Sequence, residues 1–280
     1  MRDYSLEKRL QEALDNGRNV WVIGDVHGFS QTLEQLLDSL KLEADDFVVL
    51  LGDLIDRGPN SAQVVEIVKT EGNIFSLKGN HESMMVEAVD SKELISYLPD
   101  AQSWYRNGGI ATLSSYISSL GRTKVLDRVN SDVEWMDNLP SEIVLDSWRL
   151  VHAGYDPRKD LDNQDEEIHL WIRNPFYRTD NAIDYRRTVV FGHTVTAYLP
   201  NHNMQDLGKP WHSSITLDDG RSSMIGLDTC LYHLDDAPAV LSALNLQTQE
   251  IVQQKRVEKW TREINKALNM DSEVHGFYPD

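Results

Sequence analysis

The sequence predicts an α/β fold, and three observations predict it. Short apolar runs at residues 20–23, 47–51 and 74–77 each stop at or just before a glycine that is followed by a polar residue. Stretches with apolar residues at helical spacing lie between them. The unit repeats about every 30 residues, the size of a βαβ unit. The runs are nearly continuous rather than alternating, as expected where both faces of a sheet are covered.

Each element follows in order. Leu6, Leu10, Ala13 and Leu14 recur at helical spacing, and Gly17 is a stop. After the first strand, Leu33, Leu36, Leu37 and Leu40 mark the buried face of a helix, with Ser30 as its expected N-cap. Val64, Ile67 and Val68 mark the next helix, after Pro59 and Ser61. Met84, Met85 and Ala88 mark a third. Residues from about 90 to 140 break the alternation. Leu94, Ile95, Tyr97, Leu98, Trp104 and Tyr105 point to short helices, Asn107-Gly108-Gly109 to a turn, and residues 114–120 to a further helix. This segment reads as a helical cap insert. Strands resume at 143–145, 148–151, 188–191, 224–227 and 239–246. Trp260, Ile264 and Leu268 trace an amphipathic helix, so a helical extension is expected over about 254–280, with an irregular end from 271. The whole, residues 1–280, is expected to form a single domain.

The chain of 280 residues carries a formal net charge of −18 and 40% hydrophobic residues. That apolar share supports a core and excludes global disorder. The acidic balance argues against nucleic acid and anionic membrane partners, because phosphate surfaces are held by Lys and Arg. Cys230 is the single cysteine, so no intramolecular disulfide forms, which fits a reducing compartment. No apolar run approaches the ~20 residues needed to span a bilayer. A cytoplasmic location is expected. The sequence carries no signal for an oligomeric state.

Five apolar runs end at a residue that can bind metal. These residues are Asp25 (with His27 two later), Asp53, Asn80, His152 and His193. In open α/β sheets ligands bind outside the carboxyl ends of strands. Two Asp, one Asn and three His give a mixed oxygen and nitrogen set without thiolate. It suits Mn²⁺, Fe or Zn²⁺ better than Ca²⁺. Six ligands suit two divalent metal ions that share one carboxylate, about 3.5–4 Å apart, the arrangement that clamps a transferring phosphoryl group.

The same residues carry a family resemblance. Gly24-Asp25-Val26-His27-Gly28, Gly52-Asp53-Leu54-Ile55-Asp56-Arg57-Gly58 and Gly79-Asn80-His81-Glu82 resemble the three signature motifs of the phosphoprotein phosphatases, calcineurin-like metallophosphoesterases. His152-Ala153-Gly154 and Gly192-His193-Thr194 resemble the two downstream histidine motifs, in the same order, and Trp171-Ile172-Arg173 the second arginine segment. The similarity runs over residues 19–246 and leans to the small bacterial and phage-lambda-type serine/threonine phosphatases. It implies two facing mixed β-sheets flanked by helices. It also implies that Asp25 and His27 bind the first metal, that Asp53 bridges both, and that Asn80, His152 and His193 complete the second. His81 would be the general acid, Asp56 its orienting partner, and Arg57 and Arg173 the phosphate holders.

The implied reaction is hydrolysis of a phosphoester by a hydroxide held between the metals, Mn²⁺ first among candidates. The implied substrate is a phosphorylated protein or small phosphoester. Symmetrical dinucleoside tetraphosphate hydrolysis is the rival. Those relatives usually lack an acid at the position of Asp56 and carry Asp at that of Glu82. A scaffold without catalysis is the non-enzyme rival, and it would be expected to lack a ligand or the acid.

Plainer readings stand beside these. Arg173 could simply stack on Trp171. His202 and His212 read as loop histidines, and the acidic run 160–167 as a solvated loop or helix start. Cys230 reads as a small buried residue, since no basic phosphate-cradling loop accompanies it. Many relatives have glycine at its position, a departure that bears on the backbone near the site.

Overall fold

The computed structural model describes residues 1–89, 99–120, 124–233 and 238–260. Its first half follows the expected alternation: α1 (Tyr4–Asp15), β1 (Val20–Ile23), α2 (Ser30–Leu40), β2 (Phe47–Leu50), α3 (Ser61–Thr70), β3 (Ile74–Ser76) and α4 (Asn80–Ala88). The insert contributes α5 (Pro99–Trp104), α6 (Ile110–Leu120) and α7 (Val125–Asp137). Then come β4 (Glu142–Val144), β5 (Trp148–Val151), α8 (Glu166–Trp171), β6 (Thr188–Phe191), β7 (Trp211–His212), β8 (Met224–Gly226), β9 (Val240–Asn245) and β10 (Ile251–Lys255).

The strands form two mixed five-stranded sheets, ordered β10-β9-β1-β2-β3 and β4-β5-β6-β8-β7. In the first, β1, β2 and β3 are parallel, and β9 and β10 join antiparallel. In the second, β5, β6 and β8 are parallel, with β4 and β7 antiparallel at the edges.

Side-chain alternation along β1 decides the layering. Val20 and Val22 point inward, where with Val49, Leu51 and Leu244 they meet Ile143, Leu150, Val190 and Ile225 of the second sheet. Trp21 and Ile23 point outward, into a separate core with Leu33 and Leu36 of α2, Val64 and Val68 of α3, and Trp104 and Tyr116 of the insert. The two sheets therefore face each other, with α2, α3, α4 and the insert outside the first. The parallel strands of both sheets run so that their carboxyl ends open on one side.

Five expectations need correction or bounding. Ser30 begins α2 rather than capping it. Phe29 holds the cap position and supplies no side-chain bond. Residues 254–255, expected in a terminal helix, belong to edge strand β10, and residues 256–260 are not helical. Ile264, Leu268 and the segment from 271 lie outside the described residues, as do Leu94, Ile95, Tyr97 and Leu98 of the insert. His212 lies in the short strand β7. The Asn107-Gly108-Gly109 turn is a π-helical kink between α5 and α6, with Gly108 at φ +107°. Among the described residues no helix is long and apolar enough to cross a membrane.

Candidate metal centre

The strand ends of both sheets deliver their polar residues to one place. Asp25, Asp53 and Asn80 follow β1, β2 and β3; His152 and His193 follow β5 and β6. All five are buried, as is His27. Glycines permit this convergence. A Cβ on Gly192 would sit 2.1 Å from Asp25 Oδ1, and one on Gly79 would sit 2.2 Å from Asp53 Oδ1. Six of the nine non-glycine residues with left-handed backbone among the described residues are here: His27, Asp53, Asp56, Arg57, His193 and Cys230. Each such conformation costs about 1–3 kcal/mol and persists only where the surroundings enforce it.

Asp53 stands between two groups of histidines. Its Oδ1 is 3.4 Å from His152 Nε2, while its Oδ2 is 3.7 Å from His27 Nε2 and 3.8 Å from His81 Nε2. Asn80 Oδ1 lies 2.9 Å from His152 Nε2 and 2.8 Å from His193 Nδ1. Both oxygens of Asp25 accept from the amide of His193, at 3.1 and 3.0 Å. His27, Asp53 and His81 form one set of ligand atoms within 4.8 Å of one another, and Asp53, His152 and His193 form a second.

The donor set fits divalent cations on grounds of proton accounting. His152 Nδ1 is 2.8 Å from the Leu51 carbonyl and donates to it, so Nε2 presents a lone pair. That lone pair faces the Asn80 amide oxygen, which is also an acceptor. A second proton on His152 would resolve the conflict, but burial lowers its pKa to about 4. A cation shared by the two atoms resolves it without that cost, as does an Asn80 amide turned to present its NH2. His27 Nδ1 likewise donates to a carbonyl, that of Ile55 at 3.0 Å, which aims the Nε2 lone pair into the site, where Arg57 donates to it at 2.8 Å. The carboxylates make the same demand. Burial, followed by repulsion from Asp228 and Asp53, raises the Asp25 pKa well above the carboxylate range, and burial pushes Asp53 up to about 7. Positive charge among them restores their ionised form.

The remaining expected residues line the same space. Arg57 donates to His27 Nε2 at 2.8 Å and to His81 Nε2 at 3.0 Å. Its amide approaches the carbonyl of Gly108 at 3.4 Å, so the glycine kink is also the edge of the insert against the site. Arg173 donates to Thr194 Oγ1 at 3.0 Å, beside His193. His81 Nδ1 is 2.6 Å from Asp56 Oδ2. Asp56 is fully buried and also accepts from Trp104 Nε1 and, at 2.6 Å, from Thr112 Oγ1. Burial pushes its pKa well up, and the Thr112 and Trp104 bonds work against that. Burial, then Arg57, holds His81 well below the usual histidine range. Glu82 spends its carboxylate on the amides of Asp53, Leu54 and Gly79, at 2.8, 2.9 and 2.8 Å, tying two motif loops together rather than facing the site.

Sequence reasoning missed three contributors. Asp228 follows β8, is buried, and repels Asp25, so it is a sixth strand-end polar residue at the centre. Its signal was the one used for the others: an apolar run through Gly226-Leu227 ending in a polar residue. Trp104 and Thr112 carried no local signal. Cys230, by contrast, is buried as expected, and burial drives its thiol pKa up.

Two facing sheets with a histidine and carboxylate cluster at their shared strand ends define a metallophosphoesterase. Residues 18–211 match the family described as Calcineurin-like phosphoesterase, and the chain belongs to it. It is 34% identical over 106 residues to serine/threonine-protein phosphatase 1 of Salmonella typhimurium, a match covering 38% of this chain and 48% of that one. The chain thus spans about half the length of that relative. It is 26% identical over 179 residues to the symmetrical bis(5'-nucleosyl)-tetraphosphatase of Coxiella burnetii, covering 62% of this chain and 55% of that one. The structure of a protein serine/threonine phosphatase from Saccharomyces cerevisiae superimposes with a TM-score of 0.55 at 15% identity, over 90% of this chain and 91% of that one. That likeness concerns the fold alone.

Proposed function

We propose that the chain is a phosphomonoesterase acting on phosphoserine or phosphothreonine in proteins, with Asp25, His27, Asp53, Asn80, His152 and His193 holding two divalent cations, Mn²⁺ foremost. The observation that carries the reading is the buried His81–Asp56 pair at 2.6 Å, beside Arg57. An alkyl phosphate has a poor leaving group, and a positioned acid is what it needs most. Bound cations supply Lewis acidity at the phosphoryl group and lower the pKa of the attacking water.

The protein's own residues do the rest. Arg57 and Arg173 bind the equatorial phosphoryl oxygens, where in-line attack develops charge and planar guanidinium forks pair best. The attacking water, having released one proton to solvent, forms a bond to phosphorus as the bond to the serine or threonine oxygen breaks. For this step His81 takes up a proton on Nε2, in place of the Arg57 bond there, and gives it to the departing alkoxide. Asp56 orients the imidazole through Nδ1 and stabilises its charged form. No covalent enzyme intermediate is involved. Cys230 is buried, with its thiol pKa driven up, and takes no part.

The Coxiella relative supports a second reading, hydrolysis of dinucleoside tetraphosphates. Asp56 argues against it; Glu82, turned to backbone amides, is silent on substrate. Charge separates the two. At a net charge of −18 the protein repels polyanions at long range, and salt weakens that repulsion. Paired steady-state kinetics with Mn²⁺ should give a higher kcat/KM on a basic phosphothreonine peptide than on diadenosine tetraphosphate at low salt. Higher ionic strength should narrow the gap. A preference for the dinucleotide at low salt would overturn the substrate class and leave the metal chemistry intact.

A further inference from the structure

Beyond β10 the chain crosses back toward the site. Arg256 lies over the Phe29 ring at 5.5 Å, and Trp260 packs edge-on against the same ring, centroids 5.6 Å apart. The buried Glu258 carboxylate accepts from the amides of Gln31 at 2.7 Å and Thr32 at 3.3 Å, and from the Thr32 hydroxyl. The start of α2, which Phe29 leaves without a side-chain cap, is therefore closed by a residue far along the chain. Arg256 also donates to the carbonyls of Leu231, at 2.9 Å, and His233. Those two carbonyls bracket Tyr232. The Arg57 guanidinium carbon sits 4.2 Å from the centroid of the Tyr232 ring, and the same ring meets His27 edge-on at 5.0 Å. The Tyr232 hydroxyl bonds to the Cys230 thiol, on a residue held at φ +60°.

We infer that Tyr232, clamped through its flanking carbonyls by Arg256, is a positioning residue that fixes the plane of the Arg57 guanidinium for phosphate binding. The inference rests on the reading of Arg57 as a phosphate holder. Arginine carries large rotamer freedom, and bidentate pairing gains from a fork whose plane is set beforehand. An aromatic face under the guanidinium sets it and adds cation–π attraction. The strap built from Arg256, Glu258 and Trp260 thereby connects the end of the described chain to the phosphate-binding geometry.

The test combines orthophosphate binding by calorimetry, kinetics on p-nitrophenyl phosphate and metal analysis on the Mn²⁺-loaded full chain. Tyr232→Leu should weaken orthophosphate binding and raise KM by about 3- to 30-fold, with kcat less affected and metal content unchanged. Tyr232→Phe, which keeps the ring, should bind orthophosphate as the parent does. Arg256→Ala should shift the same two constants by less, and adding it to Tyr232→Leu should cost nothing further, because both act on one ring. Arg57→Ala is the control. If it weakens orthophosphate binding and Tyr232→Leu does not, the inference is overturned and the phosphate role of Arg57 stands. If Arg57→Ala has no effect, both fall. Arg256→Ala tests the clamp without touching the ring: unchanged constants in it, or additive losses in the double variant, overturn the clamp.

Discussion

The Asp56 carboxylate and the His81 imidazole meet at 2.6 Å with both side chains buried, and the insert supplies two more donors to the carboxylate, Trp104 and Thr112. The acid of the proposed reaction is thus oriented by residues from three separate parts of the chain.

If His81 delivers the leaving-group proton, its removal should matter most where the leaving group is poor. His81→Asn should slow alkyl phosphates by about 10²–10⁴-fold and p-nitrophenyl phosphate much less. Metal content, measured alongside, should stay near the parent value. Equal losses on both substrates would remove the acid role.

Cys230 is buried, and burial drives its thiol pKa up, which disfavours a thiolate nucleophile. Cys230→Ser should keep most activity, with any loss following the drop in thermal stability. Complete loss in a folded, metal-loaded variant would require a different mechanism.

His169, a buried histidine outside the ligand set, should give the fold a pH-dependent stability. It is buried on α8, 3.2 Å from Ser141 Oγ and edge-on to Tyr155. Burial lowers its pKa from the ordinary 6.5 to about 4. The unfolded chain therefore takes up the proton first as pH falls. The stabilisation is complete above about pH 6.5, declines toward pH 4 and then levels, in total on the order of 3 kcal/mol. Melting temperatures of the parent and His169→Phe, compared between pH 7 and 4, should show the parent losing ground as pH drops. Parallel curves would show that His169 is not the group responsible.

Much of this was legible in the sequence because the strand ends carry a short-range signature. An apolar run, a glycine and a polar residue announced Asp25, Asp53, Asn80 and His193, and the order of motifs set them in a family. Asp228 bears the same mark at the end of the run 224–227. Trp104 and Thr112 were invisible for another reason: they lie 48 and 56 residues from Asp56, and nothing local marks a hydrogen bond closed over that distance. Ser30 looked like a cap because its chemistry allows it, yet the carboxylate that closes α2 comes from Glu258, 226 residues from Thr32. Edge strand β10 has two apolar residues followed by Gln-Gln-Lys, too little to distinguish it from the amphipathic stretch that follows.

The decisive measurement is the dependence of turnover on bound metal. Ligands from five strand ends should make turnover depend on cations, and the measurement is metal content by elemental analysis paired with p-nitrophenyl phosphate hydrolysis before and after exhaustive chelation. The stripped chain should show no turnover, with recovery on adding Mn²⁺ as occupancy approaches about two ions per chain. Asp53→Ala should be the most damaging single ligand change, since Asp53 faces both sets of histidines. Full activity in a chain shown to hold no metal would rule out the dimetal assignment.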